Sequence, residues 1–249
     1  MSLLPRIVGH RGAPQMAPEN TLASFRAAAA AGATAVEFDV ALTFDARPVV
    51  IHDTSLERTT DGTGLLAENT LEAISGLDAG GWFDPSFAGE VVPTLEEVID
   101  LLETLELGAD IELKPDPCRE VETAKIALGV AQECWPTGKQ PPVITSFSRV
   151  ALAAAKEAAP QWPRGLCFDL LPDDWSEAIG SLDASMACPN ADRLTGDQAA
   201  TLIAAGLEVM AWTVNDVDQA SKLLQWGVSS LCTDVPQQLR TAFAKGDLV

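Results

Sequence analysis

The chain is predicted to be an α/β protein, a TIM (β/α)8 barrel with a small insertion after its second strand. Short apolar, β-branched runs alternate with helical segments, and over the last five units the strands recur roughly every 22 residues, near barrel spacing. The strands, near residues 6–9, 35–40, 109–113, 142–146, 165–168, 185–188, 207–214 and 229–233, number the eight that close a barrel. No Gly-rich dinucleotide turn follows the first strand, which argues against an open doubly wound sheet.

The elements follow in order. Ile7-Val8-Gly9 leads into His10-Arg11-Gly12, and Asn20 or Thr21 caps a helix that ends at Gly32. Val36-Glu37-Phe38-Asp39-Val40 is the second strand, so the chain starts as a parallel βαβ unit. Asp45-Ala46 reads as the tip of a turn that returns residues 48–52 alongside it, with His52 expected opposite Asp39. Residues 54–92 are rich in turn chemistry and longer than an ordinary α/β loop. They are expected to form a cap over one end of a single domain spanning 1–249, the whole insertion covering about 41–92. Thr94 and Glu97 make a capping box for a helix running to about 107, and further helices are expected over 118–133, 149–159, 174–181, 195–205 and 216–226.

Composition excludes several classes. Apolar residues are 47% and charged residues 21% of the 249, an ordinary globular balance that allows a large core. The formal charge of −20 repels nucleic acid and anionic membranes, and a phosphate-bearing substrate too unless a cation reverses the field locally. The five cysteines form no C-x-x-C pair and read as reduced packing residues, which suits the cytoplasm. Residues 1–5 are too short for a secretory signal, and no apolar run approaches ~18 residues, so neither export nor stable membrane association is expected.

The candidate site lies at strand ends. In a parallel barrel catalytic groups come from the carboxyl ends of the strands. His10 and Arg11 end the first strand there. Glu37 and Asp39 share one face of the second strand by the two-residue period, and Glu112 and Lys114 share one face of the third. Two inward carboxylates are costly unless neutralised, and a bound cation is the simplest remedy. A lone Glu-x-Asp pair is ordinarily solvated charge. Here, however, both of the chain's histidines, His10 and His52, fall beside charged residues at the same end.

His10-Arg11-Gly12, Pro18-Glu19-Asn20-Thr21, Glu37-x-Asp39, His52-Asp53 and Glu112-x-Lys114-Pro115 together resemble the signature set of the glycerophosphodiester phosphodiesterase family. Ser55-Leu56-Glu57-Arg58-Thr59-Thr60, Ser146-Phe147, Trp212-Thr213-Val214-Asn215 and Thr233-Asp234 extend the likeness over almost the whole chain, closest to the short bacterial cytoplasmic members. The resemblance implies that Glu37, Asp39 and Glu112 hold a divalent cation, Mg²⁺ or Ca²⁺, and that Arg11 and Lys114 hold phosphate oxygens. It implies His10 as general base and His52 as general acid, in roles that can exchange between steps. The substrate would be a small glycerophosphodiester, such as glycerophosphocholine or glycerophosphoethanolamine, cleaved to sn-glycerol 3-phosphate and an alcohol.

Glu19 and Asn20 can reach the site, although helix capping accounts for Asn20 equally well. Trp212 and Phe147 can pack against substrate or fill the core. Asp234 is expected to cap the final turn. Two rivals keep the barrel: a lysophospholipase D or sphingomyelinase D-like enzyme with Gly81-Trp82-Phe83 and Phe87 as an apolar lip, and a barrel that binds phosphorylated ligands without cleaving them.

Overall fold

The computed structural model describes residues 2–246. Its strands, in chain order, are β1 (Ile7–His10), β2 (Ala35–Leu42), β3 (Pro48–Val50), β4 (Gly108–Leu113), β5 (Val143–Ser146), β6 (Arg164–Phe168), β7 (Met186–Pro189), β8 (Glu208–Ala211) and β9 (Ser230–Thr233). All but β3 pair in parallel, and β1 bonds to both β9 and β2, so eight strands close into the expected barrel. The helices are α1 (Leu22–Ala30), α2 (Leu71–Ile74), α3 (Leu95–Thr104), α4 (Glu120–Cys134), α5 (Arg149–Ala158), α6 (Trp175–Leu182), α7 (Gly196–Ala204), α8 (Val217–Gln225) and α9 (Pro236–Lys245). Among the described residues no helix is long and apolar enough to cross a membrane.

Most bounds fall within a residue or two of those expected; β8 stops at Ala211 rather than continuing to 214, and α3 ends at Thr104 rather than near 107. Sequence reading missed α2 and α9. The first is a single turn, and the second buries only Pro236, Leu239 and Ala242, too thin a stripe to stand out. The capping box at Thr94 and Glu97 is present.

Strand periodicity sorts the side chains. Phe38 faces outward and packs edge-on against Phe25 of α1, ring centroids 5.7 Å apart. Glu37 and Asp39, on either side of it, face the barrel interior, in register with Asp110 and Glu112 of β4. Away from these acids the interior is apolar and sulfur-rich, with Val8, Val143, Cys167, Met186, Cys188 and Met210 in one cluster. Larger clusters fill the space between the barrel and its helices.

The return from β2 differs from expectation by one register step. Thr43 and Arg47 close the turn, with the Thr43 amide donating to the Arg47 carbonyl at 3.1 Å and Ala46 left-handed at φ 58°. Three residues, 44–46, therefore form the loop where a tip at Asp45-Ala46 was expected. Val40 pairs with Val50, and the Ile51 amide donates to the Asp39 carbonyl at 3.0 Å, so Ile51 and not His52 stands opposite Asp39. Beyond β3 the chain builds a small core of its own from Val49, Ile51, Leu56, Leu66, Ile74 and Val92. Trp82, Phe83 and Phe87 pack edge-to-face on one another at 5.8 and 5.6 Å, with Trp82 43% exposed.

Because Phe38 is fully buried on the α1 face, Phe38→Ala is expected to cost about 3–5 kcal/mol in urea unfolding, and a loss under about 1 kcal/mol would contradict this packing.

Candidate active site

Three strand ends bring the charged groups together. His10 ends β1, and Arg11 follows in the left-handed region at φ 49°, which directs its amide to Glu37 Oε2 at 3.0 Å. The next residue must be glycine: Gly12 has φ 92°, and a Cβ there would meet Ser24 Oγ at 2.4 Å. Ser24 holds this turn from α1, its hydroxyl donating to the Arg11 carbonyl at 2.8 Å and accepting from the Ala13 amide at 2.8 Å.

Glu37, Asp39 and Glu112 each present a carboxylate oxygen within 4.8 Å of the other two. Glu37 Oε1, Asp39 Oδ1 and Glu112 Oε1 are buried and accept no hydrogen bond, one such oxygen from each residue. Lys114 Nζ lies 3.2 Å from Glu112 Oε1 as an ion pair, outside hydrogen-bonding alignment. Burial pushes Glu37 well above the usual carboxylate range, with Asp39 and Glu112 adding to the rise. Burial, then the Asp39 charge, push Glu112 up to about 7 against the pull of Lys114. Three converging buried carboxylate oxygens that accept no hydrogen bond suit a hard divalent cation with oxygen ligands.

The other predicted residues surround this triad. Arg11 Nε is 3.2 Å from Asp39 Oδ2, and its Nη1 donates to Glu19 Oε1 at 2.7 Å. Burial works against the Glu19 charge, yet hydrogen bonds from Arg58 and Arg11 hold its carboxyl down to about 2. His10 Nδ1 is 2.7 Å from Asp234 Oδ1, and His52 Nδ1 is 2.6 Å from Asp53 Oδ1. Each ring thereby leaves Nε2 free of its carboxylate partner. Lys114 Nζ lies 3.2 Å from His52 Nε2, a contact in which an ammonium can only donate, so it favours the neutral ring with its proton on Nδ1. Burial lowers His52, and the Arg11 and Lys114 charges lower it further, against the opposing pull of Asp39. Phe147 and Trp212 meet edge-to-face at 5.4 Å, the Trp212 indole donates to the Cys188 carbonyl at 2.8 Å, and Lys114 Nζ sits 5.6 Å from the Phe147 ring centre. A cavity of about 240 Å³ is lined by His10, His52, Glu112, Lys114, Phe147 and Trp212 among others.

Three residues, Asp234, Asp110 and Arg58, depart from the sequence expectation, and Asn20 takes the first of its two expected roles. Asp234 does not cap the last helix: Val235 holds the N-cap position, and Asp234 serves His10 and accepts from Asn215 Nδ2 at 2.6 Å. Asn20 leaves the capping of α1 to Thr21 and donates instead to Asp39 Oδ2 at 2.9 Å. Asp110, fully buried, accepts from Thr145 Oγ1 at 2.8 Å, and burial pushes it well above its usual range. It lies two positions before Glu112, so the same alternation pointed to it. Arg58 comes in from the insertion to Asp53 and Glu19.

The model of the glycerophosphoryl diester phosphodiesterase family matches residues 10–238. A glycerophosphodiester phosphodiesterase of Caldanaerobacter subterraneus subsp. tengcongensis is 32% identical over 241 residues, spanning 96% of this chain and 98% of the relative. A glycerophosphodiester phosphodiesterase of Bacillus subtilis (strain 168) is 32% identical over 245 residues, spanning 92% and 83%. Among solved structures, an Oleispira antarctica phosphodiesterase in complex with the product sn-glycerol-3-phosphate superposes with a TM-score of 0.94 at 36% identity, covering 97% of each chain.

With Glu112 raised to about 7, a cation competes there with a proton as the pH falls. Calorimetric affinity for Ca²⁺ is expected to fall as pH drops from about 8 to about 6, with proton release on binding, and Glu112→Gln to lose about tenfold or more at the higher pH. Equal affinity at both pH values would contradict the raised Glu112.

Proposed function

This chain belongs to the glycerophosphoryl diester phosphodiesterase family, and on that premise we propose that it uses His10 and His52 to hydrolyse glycerophosphodiesters to sn-glycerol 3-phosphate and an alcohol. The observation that carries the reading is the pair of imidazoles, each backed by a carboxylate at 2.7 and 2.6 Å, opening on a cavity that Glu37 and Glu112 of the acidic triad also line. The Oleispira relative, crystallised with sn-glycerol-3-phosphate, supports the product assignment.

In this reading Arg11 and Lys114 draw the phosphate into a strongly acidic protein, Arg11 through its fork and Lys114 as a point charge. His10 takes the proton from the attacking hydroxyl, of water or of the glycerol moiety, while Asp234 steadies the imidazolium that forms. His52 protonates the departing alcohol oxygen. Its lowered affinity for a proton makes its charged form a stronger acid, and the phosphodiester anion supplies the charge that brings that form into being. Glu37, Asp39 and Glu112 would hold Mg²⁺ or Ca²⁺, which when bound polarises a phosphoryl oxygen as a Lewis acid. Glu19 aligns Arg11, and Phe147 with Trp212 forms an apolar wall for the organic part of the substrate. Residues 41–92 act as a cap on a single domain and shape the mouth of the pocket. The five unpaired cysteines suit a reducing compartment, and we place the enzyme in the cytoplasm.

Purified protein is expected to release glycerol 3-phosphate from glycerophosphocholine or glycerophosphoethanolamine, to stop in EDTA, and to resume with Mg²⁺ or Ca²⁺. His10→Ala and His52→Ala are each expected to lose about 10²–10⁴-fold in kcat while staying folded by circular dichroism. Turnover that survives exhaustive chelation would remove the metal from the mechanism, and a wild-type rate in either variant would remove that histidine.

A further inference from the structure

Arg58 is the only residue of the insertion's turn-rich part that forms ion pairs with the groups behind the site, among the described residues. Its guanidinium meets two carboxylates at once. Nε and Nη2 donate to Asp53 Oδ2 and Oδ1 at 2.5 and 2.9 Å, while Nη1 and Nη2 donate to Glu19 Oε2 and Oε1 at 2.8 Å each. The choice of oxygens matters. Asp53 Oδ1 is the atom that meets His52 Nδ1 at 2.6 Å, and Glu19 Oε1 is the atom that accepts from Arg11 Nη1 at 2.7 Å. A single nitrogen, Arg58 Nη2, therefore touches both oxygens that orient the imidazole and the phosphate-facing guanidinium.

We infer that Arg58 is a positioning residue, a two-sided fork that sets His52 through Asp53 and Arg11 through Glu19. An ordinary ion pair on a side chain 44% exposed does little, since water screens it and its geometry wanders. Here both partners are themselves fixed on the far side, so the fork transmits orientation rather than charge. The planar guanidinium can hold four such bonds in one plane of donors, whereas an ammonium presents one nitrogen and cannot reach both pairs of oxygens. It also joins the insertion to the loop between β1 and α1, since Glu19 belongs to that loop and Arg58 to the insertion.

The inference rests on the roles proposed above for His52 and Arg11, and its test separates the two. Arg58→Lys keeps the charge and removes the fork. In steady-state assays on glycerophosphocholine it is expected to lose about 10–100-fold in kcat/KM, as much as Arg58→Gln, with the fold retained by circular dichroism. Free guanidinium ion is expected to restore part of the activity of Arg58→Ala, and ammonium none. The chain has two histidines, so imidazole nitrogens can be followed directly by NMR with His52→Ala for assignment. Without substrate, the Nδ1–H signal of His52 is expected to be sharp in the wild type and shifted or broadened in Arg58→Lys, independently of any turnover. An Arg58→Lys protein with wild-type turnover, or one whose His52 signal is unchanged, overturns the inference. A wild-type protein that turns over no diester would instead overturn the phosphodiesterase reading.

Discussion

Glu37, Asp39 and Glu112 converge inside the barrel, each with one buried carboxylate oxygen that accepts no hydrogen bond, the Glu112 oxygen facing Lys114 Nζ at 3.2 Å. In a low-dielectric interior such a group is tolerated only if it takes a proton or finds a cation. Much of the surrounding architecture follows from that constraint. Arg11 and Asn20 satisfy the remaining oxygens of Glu37 and Asp39, and Lys114 stands beside Glu112. The left-handed turn at Arg11 and the glycine after it exist to bring one backbone amide onto Glu37. The oxygens left buried without a hydrogen bond are one per acid, and the site is built around them.

The barrel divides the work between its two halves. Strands β1, β2 and β4 are neighbours in the ring and carry the acids, Arg11, Lys114 and His10, while His52 arrives from the return segment and Asp234 from beyond β9. The ends of β5 to β8 offer Phe147, Cys167 and Trp212 instead, so the cavity has one charged wall and one apolar wall. This asymmetry matches a ligand with an anionic centre and a neutral or weakly polar arm. Arg11 and Lys114 line the cavity among its acids and offer positive charge to an entering anion.

Much of this was legible from residue order because it depends on a single local rule. The two-residue period places Glu37 with Asp39 and Glu112 with Lys114, and barrel topology sends strand carboxyl ends to one face. His52 was assigned to the site although its register was misjudged by one step; its long side chain reaches the cavity from just past β3, whatever stands opposite Asp39. The pairings that escaped depend on closure. Asp234 meets His10 across 224 positions, which requires β9 to lie against β1, and no local signal distinguishes that aspartate from a helix cap. Arg58 depends on the path of an irregular segment, where neither period applies. Asp110 differs, since it obeys the same alternation as Glu112 and carried a readable signal.

The most direct measurement is a crystal structure with Mn²⁺ in place of the native ion, located by its anomalous scattering. The account predicts one strong peak bounded by Glu37 Oε1, Asp39 Oδ1 and Glu112 Oε1. A peak elsewhere in the barrel, or none at saturating Mn²⁺ with the triad hydrogen-bonded to itself as neutral acids, would contradict it.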